Sequence, residues 1–348
     1  MLPAAERLVG ITLADGWTVV SPIQRGPHST GGYFSKCYIV QDGNGKQAFL
    51  KALDFSKALQ SPDPATMLQA MTEAFNFERD VLTKCKHEHL DRVVVAITDG
   101  IYRFGSTNNS EVVQYLIFEL ADGDVRRQAQ INDQFDKAWS LRSLHHIATG
   151  LQQLHTYKIA HQDLKPSNVL VFNGNTSKLA DLGRAAYQGH TPPHENDPVP
   201  GDRGYAPPEL LYGYPDQDWK RKRFGCDMYL LGSMAVFFFQ GVGMTPLLRK
   251  ELPEPYCWDK WGGTFDEVLP YLRDAFQRVV ENYRKSLPEP LRKDLPEVVQ
   301  QLCEPDPRLR GHKLAIQAGN QFSLERYISK FNILASYAEQ GYIDMLPL

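Results

Sequence analysis

The stretch HQDLKPSNVLVF, residues 161–172, places three chemically useful side chains on one short loop. Asp163 offers a base, Lys165 two residues later offers a cation, and Asn168 five residues later offers an oxygen ligand. The apolar run that follows predicts a short strand. A loop with this chemistry directly before a strand needs an explanation in terms of function.

Composition places the chain among ordinary globular proteins. Its 348 residues include 38 basic and 41 acidic side chains, a net charge of −3, and 42% hydrophobic residues. This balance predicts no nucleic-acid or membrane partner. The five cysteines are odd in number and scattered, which predicts reduced thiols in a cytoplasmic protein rather than a disulfide framework or a zinc site.

No segment predicts targeting or membrane insertion. The first ten residues contain an acidic residue and no useful apolar core, so we expect no secretory signal. The most apolar window, residues 228–244, is short and contains glycines. We therefore expect a buried helix there. The basic run WKRKRF, residues 219–224, predicts a solvated loop before that helix, with a polyanion-binding patch as the alternative.

The first third of the chain predicts a small sheet with one main helix. Residues 37–40 and 48–53 flank a turn sequence rich in glycine and asparagine, which is typical of a hairpin. Residues 112–120 form another apolar, β-branched and aromatic run. Between these strands, residues 67–85 carry apolar side chains at helical spacing.

The rest of the chain predicts mainly helices. Apolar residues recur every three or four positions over 141–154, and a second small hairpin surrounds the turn at 173–175. Beyond about residue 205 we expect helices joined by proline-rich segments at 253–255 and 288–296, as at 192–200 before it. A β-rich lobe and a helical lobe joined by a hinge are expected to leave a cleft.

Three motifs in order resemble one family. HQDLKPSNVL (161–170), ADLG (180–183) and GDRGYAPPEL (201–210) resemble the catalytic loop, the metal-binding loop and the substrate-loop end of eukaryotic-type (Hanks-type) Ser/Thr protein kinases, of which this chain would be a divergent member. The resemblance covers roughly residues 20–315. It implies an α+β, bilobal fold with a small β-rich N-lobe containing one main helix and a larger helical C-lobe.

The same resemblance implies a division into four parts. Residues 1–19 would form an N-terminal extension, 20–120 the N-lobe, 121–315 the C-lobe and 316–348 a C-terminal helical extension.

The implied reaction is transfer of the γ-phosphate of ATP, with Mg²⁺, to a Ser or Thr hydroxyl of a protein substrate. The resemblance makes Asp163, Lys165 and Asn168 catalytic. Asp163 would accept or orient the proton of the hydroxyl, and Lys165 would hold positive charge beside the phosphoryl group. Asn168 and Asp181 would bind Mg²⁺, a cation that prefers oxygen ligands. Lys165 favours the Ser/Thr class, because tyrosine kinases usually lack this lysine.

Nucleotide contacts are also implied by the resemblance. Lys51 matches the strand lysine that binds the α- and β-phosphates, and Glu78 is its expected ion-pair partner, with Glu73 the weaker candidate. The glycine loop TGGYFSKC, residues 30–37, departs from the family pattern and retains Gly32, with Gly31 beside it. The remaining implied contacts are Phe118, Glu119, Ala121 and Leu170.

Three further charged residues also match the family. Glu209 and Arg310 correspond to a buried ion pair, and Asp227 corresponds to the aspartate that braces the backbone of the catalytic loop. Such charges at the border of an apolar core are expected to be paired.

Three departures from the family pattern carry predictions. Gln162 replaces an arginine that binds a loop phosphate, so we expect activity that does not depend on loop phosphorylation. Asp202 replaces a threonine and should either pair with Lys165 or disfavour ionisation of Asp163. Phe49 replaces a small residue over the adenine, and either it narrows that pocket with Phe118 or it turns into the core of the lobe.

Two other functions remain open at the level of sequence. The chain could be a pseudokinase that binds nucleotide or acts as a scaffold, or, less in keeping with Glu209 and Arg310, a kinase of a small metabolite. The oligomeric state, the substrate and the role of the residues after Gly311 are not predicted.

Overall fold

The computed structural model describes residues 2–23, 34–105, 111–131 and 136–343. The chain divides into two compact units, Met1–Asp122 and Gly123–Leu348, which are called the N-lobe and the C-lobe below. The first is rich in strands with one main helix, and the second is mainly helical. The predicted α+β class is therefore confirmed. The predicted division after residue 120 lies close to Asp122, and the finer domain bounds stay predictions.

Five strands and two helices form the N-lobe. In chain order they are β1 (Thr18–Pro22), β2 (Ser35–Gln41), β3 (Gln47–Leu53), α1 (Ser56–Leu59), α2 (Pro64–His87), β4 (Ala96–Phe104) and β5 (Glu111–Glu119). The strands are antiparallel in the order β1-β2-β3-β5-β4. The predicted hairpin, the third strand and the main helix are all confirmed.

Alternation along β3 determines which side chains can reach a ligand. Ala48, Leu50 and Ala52 lie in the apolar core of the lobe. Phe49 and Lys51 therefore point to the opposite face of the sheet, because successive side chains of a strand alternate. Helix α2 contributes Glu78 to that same face, where it contacts Lys51.

Strand β4 was not predicted, because its Asp99-Gly100 pair is typical of a turn. Gly100 pairs with Tyr115 on β5, and the Tyr115 ring occupies the space that a Cβ at Gly100 would need. The glycine is thus required inside a strand by the close approach of an aromatic ring.

Residues 2–19 pack into the N-lobe. Leu8, Leu13 and Trp17 belong to the same buried cluster as the sheet core. Tyr38 on β2 donates a hydrogen bond from its hydroxyl to the Ala5 carbonyl at 2.5 Å. Burial raises the pKa of the Tyr38 hydroxyl to about 12.

The C-lobe begins with a short strand and continues mainly as helices. In chain order its elements are β6 (Gly123–Asp124), α3 (Val125–Ile131), α4 (Lys137–Thr156), β7 (Ile159–Ala160), β8 (Val169–Phe172), β9 (Thr176–Leu179), β10 (Ala186–Tyr187), α5 (Pro208–Leu211), α6 (Trp219–Gln240), α7 (Met244–Glu251), α8 (Phe265–Ser286), α9 (Leu291–Leu302), α10 (Lys313–Gln317) and α11 (Glu325–Glu339). Strands β6, β8 and β9 pair in that order, and β10 pairs with β7. The predicted hairpin around residues 173–175 is confirmed.

Helix α6 is the buried helix that the apolar window predicts, but it begins earlier. Asp218 caps it by accepting a hydrogen bond from the Arg221 amide, and Gly241 ends it with a left-handed backbone. The basic run at 219–224 is therefore the first turns of α6, and the prediction of a solvated loop is wrong. Arg223 within it is 1% exposed.

One proline-rich segment is shorter than predicted. Helix α9 begins at Leu291 and contains Pro296, so the predicted joint at 288–296 is wrong beyond its first residues. Pro296 is the sixth residue of the helix, so its missing N–H leaves the Arg292 carbonyl without its intrahelical donor, and Arg284 Nη1 donates to that carbonyl at 2.8 Å instead.

Helix α11 packs along α4. Arg142 donates hydrogen bonds to Glu339 at 2.8 and 2.7 Å and to Asn332 at 2.6 Å. Phe331 of α11 is fully buried. The residues after Gly311 therefore include a helix that contributes to the core of the C-lobe.

In the described part of the chain, no single helix is long and apolar enough to cross a membrane; α6 and α7, bent by 83°, pass that test only as a pair. All five cysteines lie in described residues and none forms a disulfide, as the sequence predicts.

Candidate active site

The N-lobe carries an ion pair between β3 and α2. Lys51 Nζ lies 2.8 Å from Glu78 Oε1 and 2.9 Å from Glu78 Oε2. Glu78 is 6% exposed, so the pair is partly shielded from water. Glu73 is exposed and accepts a hydrogen bond from Gln69 instead. The choice of Glu78 over Glu73 is therefore confirmed.

Phe49 lies on the face that carries Lys51. It pairs with Phe118 across β3 and β5, and the two ring centroids are 6.3 Å apart. Phe49 is half-buried and does not belong to the core cluster, so the prediction that it turns into the core is wrong.

The other predicted nucleotide contacts are placed as follows. Glu119 is the last residue of β5 and is exposed. Ala121, two residues later, is half-buried. Leu170 is half-buried on β8 of the C-lobe. Gly31 and Gly32 lie outside the described residues. The roles of all five in nucleotide binding stay predictions.

Asp163, Lys165 and Asn168 meet in the C-lobe at hydrogen-bond distance. Asn168 Nδ2 donates to the Asp163 carbonyl at 2.8 Å and to Asp163 Oδ2 at 2.9 Å. Lys165 Nζ lies 3.2 Å from the same Oδ2. All three side chains are buried, since a 3-10 turn at Pro166–Asn168 folds the loop back on itself.

Asp202 completes this cluster from a later part of the chain. Its backbone N–H donates to Asp163 Oδ1 at 2.8 Å, and its Oδ2 lies 3.4 Å from Lys165 Nζ. Burial lowers the pKa of Lys165, but the charges of Asp163 and Asp202 outweigh it, and the pKa lies above its usual value. Of the two predictions for Asp202, pairing with Lys165 is confirmed.

Gly201 permits this approach. A Cβ at Gly201 would lie 2.8 Å from Asp163 Oδ1 and closer still to the Gln162 carbonyl oxygen. The segment can therefore reach the catalytic loop only with glycine at this position.

His161 ties the catalytic loop to the residue before Asp181. Its ring accepts from the Asp163 amide at Nδ1, 3.3 Å, and Nε2 lies 3.1 Å from the Ala180 carbonyl. That pattern requires the proton on Nε2, which donates to the carbonyl. The Ala180 amide donates to the Asn168 carbonyl at 2.9 Å, so both backbone groups of Ala180 are fixed.

Asp181 follows this anchored residue with a left-handed backbone, φ 61°. Such a conformation is uncommon for a residue with a side chain, and it is often found at functional sites. The side chain is exposed.

Asp227 of α6 holds the backbone of the catalytic loop in place. Its carboxylate accepts hydrogen bonds from the backbone amides of His161 and Gln162, both at 2.8 Å, and lies 2.9 Å from His155 Nε2. Asp227 is fully buried, and these contacts compensate its desolvation. The predicted bracing is confirmed.

Asn168 and Asp181 offer side-chain oxygens, the type of ligand that Mg²⁺ prefers. The Asn168 amide nitrogen is engaged by Asp163, which leaves Oδ1 as the oxygen available to a cation. Mg²⁺ commonly takes one or two protein oxygens and completes its shell with phosphates and water. Among the described residues no group of three or more His, Cys, Asp or Glu could hold a metal.

Arg223 and Glu195 lie next to this site and were missed by the sequence analysis. Arg223 is one basic residue in a run of four, and Glu195 lies in a proline-rich segment, so neither has a sequence signal of its own.

Comparison with known proteins agrees with the geometry of this site. The protein kinase domain family matches residues 30–313, which is most of the chain. The chain belongs to the protein kinase domain family. The matched range includes Asp163, Lys165 and Asn168, which lie at hydrogen-bond distance from one another.

Curated proteins similar to this chain include a serine/threonine-protein kinase and an Aurora kinase. The serine/threonine-protein kinase greatwall of Bos taurus is 32% identical over 168 residues, covering 48% of this chain and 16% of that kinase. Aurora kinase B of Drosophila melanogaster is 25% identical over 221 residues, covering 63% and 59% respectively. The chain thus spans less than two thirds of the length of either kinase.

Proposed function

We propose that this kinase-family chain phosphorylates Ser or Thr hydroxyls of protein substrates, with ATP as donor and Mg²⁺ as the required ion. The observation that carries the proposal is the cluster of Asp163 with Lys165 and Asn168 at 2.9 to 3.2 Å. The similarity of the chain to kinases named for Ser/Thr activity supports Ser or Thr as the phosphate acceptor.

In this mechanism Asp163 accepts or orients the proton of the acceptor hydroxyl. Its Oδ1 is held by the Asp202 amide, and Oδ2 is held by Asn168, so the carboxylate has one fixed orientation. Lys165 contributes positive charge at the same place, where developing negative charge on the phosphoryl group needs stabilisation.

Bound Mg²⁺ would neutralise charge on the phosphates, and Asn168 and Asp181 are the residues that would hold it. Lys51, kept in place by Glu78, binds the α- and β-phosphates in this proposal. Phe118, Glu119, Ala121 and Leu170 are proposed as nucleotide contacts.

The pseudokinase alternative is not favoured, because the proposed catalytic residues are present and paired. A metabolite kinase is also less favoured, since the protein kinase domain matches most of the chain.

The test is transfer of label from γ-labelled ATP with Mg²⁺ to a panel of proteins and small hydroxyl compounds. Wild type is compared with Asp163→Asn and with Asp259→Asn, a surface aspartate in contact with Arg249. We expect label on Ser or Thr of proteins with wild type and Asp259→Asn, and loss of about 10²-fold or more with Asp163→Asn. Label on small compounds alone, or equal labelling by all three, contradicts the proposal. Mg²⁺-dependent nucleotide binding without any transfer would support the pseudokinase.

A further inference from the structure

A buried arginine links the proposed catalytic loop to the segment between Asp181 and Glu209. Arg223 of α6 donates from Nη2 to Glu195 Oε2 at 2.6 Å and from Nη1 to Gln162 Oε1 at 3.2 Å. With an exposure of 1%, its guanidinium lies away from water.

Glu195 neutralises this buried cation. A guanidinium taken out of water without a carboxylate is strongly disfavoured, so the 2.6 Å contact determines whether Arg223 can remain buried. Glu195 Oε1 also lies 3.5 Å from Lys222. Its carboxylate thus lies close to two adjacent cations of α6, Lys222 and Arg223. A dianionic phosphate would pair with two such cations in the same way.

A second carboxylate of the same turn is also paired. Residues 194–197, His-Glu-Asn-Asp, form what is called the acidic turn here, closed by a hydrogen bond from the Asp197 amide to the His194 carbonyl at 3.0 Å. Asp197 Oδ2 lies 3.0 Å from Arg184 Nη1, three residues after Asp181. The turn therefore contacts both α6 and the start of its own segment.

Gln162 transmits this contact to the catalytic residue. Its side chain accepts from Arg223 Nη1 and donates from Nε2 to the Arg223 carbonyl at 2.8 Å, while its backbone N–H is held by Asp227. The backbone at Gln162 is left-handed, φ 66°, a strained conformation that persists only when its surroundings hold it. Asp163 is the next residue.

Glutamine at position 162 also suits the charge balance. An arginine there would bring a second guanidinium against Arg223, and Glu195 alone would have to neutralise both. A neutral amide, which can donate and accept, satisfies Arg223 without adding charge.

We propose that the acidic turn holds the segment between Asp181 and Glu209 in its ordered form, and that Glu195 takes the place of a phosphate. Glu195 is then a positioning residue, which acts on Asp163 through Arg223 and Gln162, and the segment needs no phosphorylation. The proposal rests on the proposed kinase function for its effect on activity, but not for its effect on order.

The experiment compares wild type with Glu195→Gln, Glu195→Asp and the control Glu289→Gln. Glu289 is a surface glutamate that pairs with Arg292 three residues later, so the control makes the same chemical change away from the site. All proteins are treated with phosphatase, and their masses are checked for absence of phosphate. Two readouts follow: hydrogen exchange of the amides of residues 184–205, and kcat with KM for ATP on a protein acceptor.

For Glu195→Gln we expect faster exchange across residues 184–205 and a kcat lower by roughly 10- to 100-fold, with KM for ATP changed by less than about twofold. Glu195→Asp should recover part of the loss, and Glu289→Gln should match wild type. Unphosphorylated wild type should keep its full kcat. If Glu195→Gln does not fold, the double variant Glu195→Gln/Arg223→Gln, which leaves no unpaired buried charge, is expected to show the same losses.

Exchange and kcat of Glu195→Gln equal to those of wild type would overturn the proposal. A wild type that gains activity only after phosphorylation would overturn it as well. Absence of transfer by wild type in any state would overturn the proposed function, while the exchange comparison would still decide whether Glu195 orders the segment.

Discussion

Arg310 donates two hydrogen bonds to the Glu209 carboxylate, from Nη1 to Oε1 at 2.6 Å and from Nη2 to Oε2 at 2.8 Å. The two residues are 101 positions apart, and Arg310 is fully buried. Arg310 also donates to the carbonyls of Glu304 and Gly225 at 3.0 Å, so four hydrogen bonds compensate its desolvation.

Removing one partner of this pair should strongly destabilise the protein. Arg310→Met leaves the Glu209 carboxylate buried without its cation, which costs about 3–5 kcal/mol in the free energy of unfolding. The control is Lys330→Met, which removes a surface ion pair with Asp294 and should cost below about 1 kcal/mol. Urea unfolding of both variants measures the difference, and equal losses would contradict the importance of the buried pair.

Loss of the lysine on β3 should impair phosphoryl transfer. Lys51→Met removes the positive charge proposed to bind phosphates, and we expect kcat/KM to fall by about 10²-fold or more. Lys46→Met in the turn between β2 and β3 is the control, because Lys46 is exposed and lies outside the glycine loop. Steady-state rates at saturating acceptor check this, and similar rates for the two variants would contradict the role of Lys51.

Shortening the phenylalanine beside Lys51 should change nucleotide affinity. Because Phe49 lies on the Lys51 face with Phe118, Phe49→Ala should enlarge the proposed adenine pocket and lower KM for ATP. Phe104→Ala on β4, which packs against the N-lobe core, is the control. An unchanged KM for ATP in Phe49→Ala would show that Phe49 does not crowd the nucleotide.

The hydroxyls of the segment between Asp181 and Glu209 should be dispensable as phosphorylation sites. Thr191 is exposed, and Tyr187 stacks on His190 with centroids 4.2 Å apart. Thr191→Ala and Tyr187→Phe, which keeps the stacked ring, should both retain wild-type kcat. A collapse of activity in either variant would indicate that loop phosphorylation is needed.

Acid should destabilise the protein through His194. Burial lowers the pKa of His194 to about 4, together with the charges of Arg184 and Arg223, which outweigh Asp197. The unfolded state, with a pKa of about 6.5, binds the proton first, so stability falls as pH decreases from about 6.5 to about 4. His194→Gln should flatten this part of the profile of unfolding free energy against pH. A slope equal to that of wild type would exclude His194 as its source.

The sequence predicts those parts of the site that depend on neighbours along the chain. Asp163, Lys165 and Asn168 lie within six residues, and one tight turn brings them together. The pairing of Lys51 with Glu78 was implied by the resemblance to the kinase family, and the ion pair between β3 and α2 confirms it.

Other parts depend on distant contacts that carry no local signal. Arg223 lies in a run of basic residues that is typical of a solvated surface, but its helix begins four residues earlier and carries it into the core. Strand β4 was missed because Gly100 resembles a turn residue, whereas its cause is the Tyr115 ring on β5. In both cases tertiary packing overrides the local pattern.

The packing of α11 along α4 has a consequence for how the C-lobe is made. Gln152 of α4 accepts a hydrogen bond from the backbone amide of Leu324, the residue before α11. The two residues are 172 positions apart. During synthesis at about 5–20 residues per second, the apolar face of α4 waits on the order of 10–30 s for its partner helix. The apolar face of α4 therefore stays uncovered until α11 leaves the ribosome, and variants that weaken the Arg142–Glu339 contact should give a lower yield of folded protein.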